Sequence, residues 1–241
     1  MASLDVFGAI ATTGTAAFVV GVIAAVYPGT LAERVRIVGA FAIWFGVVVV
    51  LTTLGVFDPV RGFGVPALVL AIIVPMAVIA FAVMSSPERL TRVMAMSMPA
   101  LIATHVLRVL GLMFLLLWSD GRLIAPFAPS AGWGDIITGV TAIPLAWAVW
   151  RRVAGWRAFA IAWNLFGAAD LIAAIAFGVT SAPGSPLQLF AGQSEQVMSI
   201  LPWILIPAYL VPIWLMLHAL MLVRLTARSA AGQLRAHRLL A

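Results

Sequence analysis

Residues 64–84 read GVPALVLAIIVPMAVIAFAVM, an unbroken run with no charged, amide or hydroxyl side chain. At about 1.5 Å of rise per residue, a helix of that length matches the hydrocarbon thickness of a bilayer. A strand would be shorter, and a surface helix in water would carry a polar face. The run is therefore read as a membrane-spanning helix, and the rest of the chain repeats the pattern.

Outward from it, apolar runs bounded by charged or Pro/Gly-rich segments recur near 6–27, 36–57, 94–118, 133–150, 157–178 and 197–224. With 64–84 they predict an all-α, polytopic membrane protein of seven transmembrane helices forming one domain over 1–241. The connections at 28–35, 58–63, 85–93 and 151–156 are too short to hold a further domain, so successive helices are expected to be antiparallel neighbours. Composition agrees: 64% of residues are hydrophobic and 9% charged, with a mean hydropathy of +1.14. Met1 to Val6 carries Asp5 as its only charge, so the first apolar run is expected to stay as a helix rather than be cleaved as a signal peptide.

Cysteine is absent, which excludes disulfides, thiolate metal sites and cysteine nucleophiles. All 14 basic residues are Arg. Without lysine there is no Schiff base of the kind that holds retinal in seven-helix rhodopsins, and no P-loop lysine. The net charge of +6 is scattered over single and paired Arg residues at helix ends, which disfavours nucleic acid as a partner.

Arginine placement predicts orientation, because loops rich in Arg stay cytoplasmic. Eleven Arg residues fall in alternate segments: Arg34, Arg36, Arg89, Arg92, Arg151, Arg152, Arg157, Arg224, Arg228, Arg235 and Arg238. The opposite set holds Arg61 and Arg122, the latter expected in a solvated outer loop, while Arg108 lies inside a span. The N-terminus is thus expected outside and the C-terminus inside a bacterial inner (plasma) membrane. Trp118, Trp133 and Trp203 near outer ends, and Trp150 and Trp156 near an inner one, are expected to anchor at the headgroups. The basic tail 225–241 is expected to lie against anionic lipid, and the loop 180–196 to serve as a lid or a connector.

Ionisable groups are unevenly distributed. The stretch 6–84 has none between its helix ends and is read as an apolar three-helix scaffold that could dock a membrane-protein partner. The stretch 94–224 carries His105, Arg108, Asp135, Asn164, Asp170 and His218. Charges at membrane depth are expensive and mark functional sites or buried pairs. Helical rise places His105, Arg108, Asp170 and Asp135 in one outward-facing cluster, with Asp135 nearest the outside and Asp170 as the partner of Arg108. Asn164 and His218 are expected on a separate level, His218 roughly 10 Å from His105.

One Arg beside two Asp residues leaves a surplus carboxylate able to exchange a proton with His105. The expected function is binding or moving a small solute, ion or proton through this pocket. The alternatives are a metal- or haem-dependent membrane enzyme using His105 with Asp170 or Asp135, and an accessory subunit whose polar cluster only locks the bundle. Pro202, Pro207 and Pro212 predict a kinked or partly unwound last helix. Met94, Met96 and Met98 read as core packing rather than as a copper site.

Overall fold

A computed structural model describes residues 3–190 and 196–240, those from 228 on by their backbone alone. The described chain is all-helical, with seven helices long and apolar enough to cross a membrane. These are α1 (Ser3–Val26), α2 (Leu31–Thr53), α3 (Gly64–Met84), a composite span Met98–Ser119, α7 (Phe127–Arg151), α8 (Trp156–Ser181) and Ile206–Ala227.

Local sequence explains the boundaries. Thr30 and Glu33 form a capping box at the start of α2. Glu33 also accepts from Arg92 at 2.5 Å, which ties α2 to the short helix α4 (Pro87–Ala95). Ser86 and Ser97 each cap a helix whose first turn contains proline. The second of these caps opens α5 (Met98–Thr104), so the fourth span begins after a break at Met96 and Ser97. Met96 and Met98 are buried in the main core.

The composite span is not a uniform helix. After α5 comes a 3₁₀ segment, His105–Gly111, and then α6 (Leu112–Ser119). With 3.0 residues per turn, positions three apart are eclipsed, so His105, Arg108 and Gly111 share one face. All three are buried.

The last span is irregular as its prolines require: a π segment, Ile206–Leu210, precedes α9 (Val211–Leu240). Tyr209 in this segment donates to the Phe41 carbonyl at 3.1 Å and packs its ring on Trp44 and Phe45, which joins α2 to the rest.

Burial divides the bundle unequally. Only 11% of the α2 and α3 spans is buried, against 50% of Met98–Ser119 and 56% of Ile206–Ala227. In the bilayer α2 and α3 are peripheral, whereas α1 supplies Val19, Val20 and Ile23 to the main core. The apolar stretch 6–84 is thus not one layer, since α1 packs on α5 while α2 and α3 lie outside it.

Three expectations about the bundle ends are corrected. Trp203 does not present its ring to the headgroups but is fully buried, donating its indole N–H to Asp5 at 2.8 Å and packing on Gly8. Arg122 is not simply solvated, because it donates to the same Asp5 oxygen at 2.9 Å and its side chain is 13% exposed. The fifth span begins at Phe127, not near 133, so Asp135 sits two turns inside α7 rather than at its mouth. Trp118, Trp133 and Trp150 are exposed, as expected of lipid-facing or interfacial rings. Within the loop 180–196, the backbone of Leu189 and Phe190 returns to the Thr180 carbonyl, and 191–195 lies outside the described residues. The side chains of the basic tail from 228 on also lie outside them.

Candidate functional site

Arg108 occupies the centre of the bundle with its side chain 0% exposed. Its Nε donates to Asp135 Oδ1 at 2.6 Å and its Nη2 to Asp170 Oδ2 at 2.5 Å. Its Nη1 donates to the Gly167 carbonyl at 3.2 Å and to His218 Nε2 at 3.1 Å. Four of the five guanidinium N–H groups are therefore engaged, by partners from α7, α8 and α9. The guanidinium plane also lies 5.8 Å from the Trp214 ring centre, within cation–π range.

The hydrogen-bond chain continues through His218 and settles its tautomer. Asn164 Nδ2 donates to the Ala160 carbonyl at 2.7 Å, so Asn164 Oδ1 is the acceptor toward His218 Nδ1 at 2.9 Å. His218 is then the Nδ1–H form, and its Nε2 lone pair receives Arg108.

His105 completes the cluster without joining this chain. Its ring lies 4.3 Å from that of His218 and 5.1 Å from Trp163, edge-on to the indole. Both His105 nitrogens are buried and find no hydrogen-bond partner among the described residues. The Trp163 indole N–H donates to Thr141 Oγ1 at 3.0 Å, fixing the wall on that side.

Small residues make this density possible. A Cβ on Gly134 would stand 1.7 Å from Asp170 Oδ1, and one on Gly167 would stand 2.6 Å from His218 Cε1 and 3.2 Å from Arg108 Nη1. Gly139 lets the backbone of Val109 approach α7, where a Cβ would stand 2.5 Å from its nitrogen. Close helix approach through small residues is a general device of membrane bundles.

Of the four residues expected as one cluster, Arg108, Asp135 and Asp170 do meet, while His105 lies beside them through its neighbour His218. Two expectations fail. Arg108 pairs with both aspartates rather than with Asp170 alone. Asn164 and His218 are not a separate level, since His218 touches Arg108 and its ring packs, tilted by 47°, against that of His105. The expected separation compared backbone heights along straight helices. The break at Met96 and Ser97 removes it: the fourth span starts at Met98, so His105 lies two turns into the span, at the level His218 reaches two turns from Arg224.

Sequence reasoning missed Trp163, Trp214 and the glycines. The signal was present: Gly132, Gly134 and Gly139 surround Asp135, and Gly167 precedes Asp170 by one turn. Among the described residues no group of three or more His, Asp or Glu converges as metal ligands do. A haem between His105 and His218 would need axial nitrogens on opposite faces of one ring system, which centroids 4.3 Å apart do not allow.

Two carboxylates share one guanidinium, with side-chain exposures of 9% for Asp135 and 7% for Asp170. If both were ionised, the trio would carry a net negative charge in a medium that solvates charge poorly. A proton on one of the two carboxyl groups would balance it.

No curated protein and no solved structure matches the chain. One family model does match, over residues 63–226, a stretch that contains α3, the composite span, α7, α8 and all six residues of the cluster. By that match the chain belongs to the family described as a domain of unknown function, DUF8737.

Proposed function

We propose that this multi-pass membrane protein binds and releases a proton at the Arg108 cluster, and that this exchange serves the movement of a small solute or ion across a bacterial plasma membrane. The observation that carries the reading is the pairing of one fully buried guanidinium with two carboxylates, Asp135 at 2.6 Å and Asp170 at 2.5 Å. Arg108 has one N–H left over, so a ligand that depended on it for a bidentate contact would first have to displace a protein partner. A proton needs no such displacement. His105, its ring packed at a tilt against His218 and both nitrogens unengaged by described residues, supplies a neighbouring group through which a proton can pass. In this reading the arginine-rich end of the bundle faces the cytoplasm.

Infrared difference spectroscopy of the protein in lipid nanodiscs, on stepping the pH, tests it. A carboxylic-acid carbonyl band that appears in the wild type and is lost or shifted in both Asp135→Asn and Asp170→Asn is the expected result. Its absence in the wild type throughout the range of protein stability removes the proton-exchange reading.

A second reading is favoured by the engagement of nearly every Arg108 donor: the cluster is a static lock in an accessory subunit, and the little-buried α2 and α3 face a membrane-protein partner. A lock has no reason to change protonation between two stable states, so the same experiment separates the two.

A further inference from the structure

The second feature of the bundle is apolar. A cavity of about 120 Å³ lies between α3 and α8, both of which pack on the column formed by the π segment and α9. One water needs roughly 10–15 Å³ by this measure, so the space is far larger than a solvation site. Val65, Leu68 and Ile72 of α3 line it, as do Ala174 and Gly178 of α8 and Pro207 of the π segment. From Ser181 to Ala174 the α8 wall is roughly 10 Å long at 1.5 Å per residue.

The surroundings identify the medium that reaches it. On the same turns, Leu70 and Ile73 of α3 and Ile172 of α8 are more than half exposed, and in a membrane that exposure is to acyl chains. The cavity is at membrane depth because both walls are membrane spans.

Polar side chains enter the lining only at its end, from Ser181, Gln196 and Ser199. Ser181, the last residue of α8, is 6% exposed and lines the cavity, and its Oγ finds no hydrogen-bond partner among the described residues. Ser199, also lining that end, is already satisfied by the Gln196 carbonyl at 2.7 Å. A buried hydroxyl left without a partner carries a desolvation cost that a ligand acceptor would relieve. The site is thus an apolar slot whose polar lining side chains, Ser181, Ser199 and Gln196, gather at the end where α8 meets the loop, with the buried Ser181 Oγ unpartnered among the described residues, and that end corresponds to the headgroup side of the bilayer.

We propose that this slot binds one acyl chain of a bilayer phospholipid, with the ester carbonyl of that chain accepting a hydrogen bond from Ser181 Oγ and the hydrocarbon running along α8 toward Ala174. The polarity of the slot orients the lipid: the hydroxyl is at the loop end, and every residue from Gly178 to Ala174 that faces the chain is apolar. The assignment is independent of proton exchange at Arg108, since Asp135 and Asp170 are not in its wall.

The test uses the full-length protein in nanodiscs doped with a phosphatidylcholine that carries a diazirine midway along one acyl chain. After photolysis and peptide mapping, labels on 65–72, 174–181 and 204–211 are expected in excess over labels on the outward turns of α3 at Val78 and Phe81. Gly178→Leu should fill the slot and abolish the excess. A Cβ at Gly178 makes ordinary contact with Phe127 at 3.6 Å, so the backbone has no reason to move. Ser181→Ala should retain the fold and lower the cavity labelling by about twofold to tenfold, the worth of one hydrogen bond.

Labelling of the outward turns alone, or cavity labelling that Gly178→Leu leaves unchanged in a folded protein, overturns the proposal. So does labelling by a small free alkyl diazirine that the phospholipid probe does not compete, since the slot would then take a free apolar solute.

Discussion

Arg108 Nη1 stands 3.1 Å from His218 Nε2, joining the 3₁₀ segment of the fourth span to the last helix across 110 residues of sequence. Because Asn164 Oδ1 takes the Nδ1 proton of the same ring, the imidazole meets the guanidinium as an acceptor. Asp135, Asp170 and the Gly167 carbonyl take the other engaged donors, so one side chain ties α7, α8 and α9 together.

Removal of that side chain should be severe. Arg108→Ala leaves two buried carboxylates, His218 Nε2 and a carbonyl without their donor, a loss of about 3–5 kcal/mol by comparison with broken buried pairs. Arg108→Lys should recover little, because an ammonium on a flexible stem cannot present a planar fork to three elements at once. Arg61→Ala, at an exposed position, should stay within about 0.5 kcal/mol of wild type. Unfolding midpoints in one detergent compare the three, and similar values for Arg108→Ala and Arg61→Ala would refute the central role of Arg108.

The two aspartates should compensate for one another. Either Asp135→Asn or Asp170→Asn leaves Arg108 with one carboxylate and a balanced charge, whereas the double variant strands a buried cation. The loss in the double variant is expected to exceed the sum of the single losses, as coupled residues do. Additive losses would mean that the second carboxylate contributes nothing to charge balance.

The histidines should part company. His218→Phe removes an acceptor for Arg108 and a donor to Asn164, at a cost of about 1–3 kcal/mol for the groups left unpaired. His105→Phe puts an aromatic ring among Trp163, Trp214 and His218 and removes two nitrogens unengaged by described residues, so thermal stability should be kept or raised. Under the proposed function the same His105→Phe variant should slow the pH-driven infrared change. A stability loss in His105→Phe as large as that in His218→Phe would point to a partner for His105 and a structural role.

Glycine substitutions should sort by position. Gly134→Ala and Gly167→Ala drive a methyl into Asp170 and His218 respectively and should lower the unfolding midpoint strongly. Gly14→Ala and Gly46→Ala, with nothing within 4 Å of the added carbon, should be neutral or slightly stabilising in a helix. Equal effects at the four positions would mean that the helices around the cluster are not in close approach.

Orientation is open to direct measurement because the chain has no cysteine of its own. A single cysteine at Gln188, exposed in the loop after α8, is expected to react with an impermeant maleimide from outside intact cells, and one at the exposed Arg152 only after permeabilisation. The reverse pattern would turn the bundle over and put the arginine-rich end outside.

The seven spans are legible because membrane insertion depends on the local sum of apolar residues over about twenty positions, and runs such as 64–84 need no tertiary partner to qualify. The identity of the buried polar residues is legible for a related reason, since the cost of placing His105, Arg108, Asp135 or Asp170 in hydrocarbon depends on the residue and its depth alone. Their pairing does not follow from depth. It required a 3₁₀ stretch that aligns His105 with Arg108, a break at Met96 and Ser97 that starts the fourth span at Met98, and glycines that bring α7 and α8 close enough for one guanidinium to reach both. These are properties of contacts between helices, where the absence of a Cβ on one helix matters only because of the side chain opposite. For the same reason the buried roles of Trp203 and Arg122 appear only in the folded chain, when Asp5, over a hundred residues away, accepts from both.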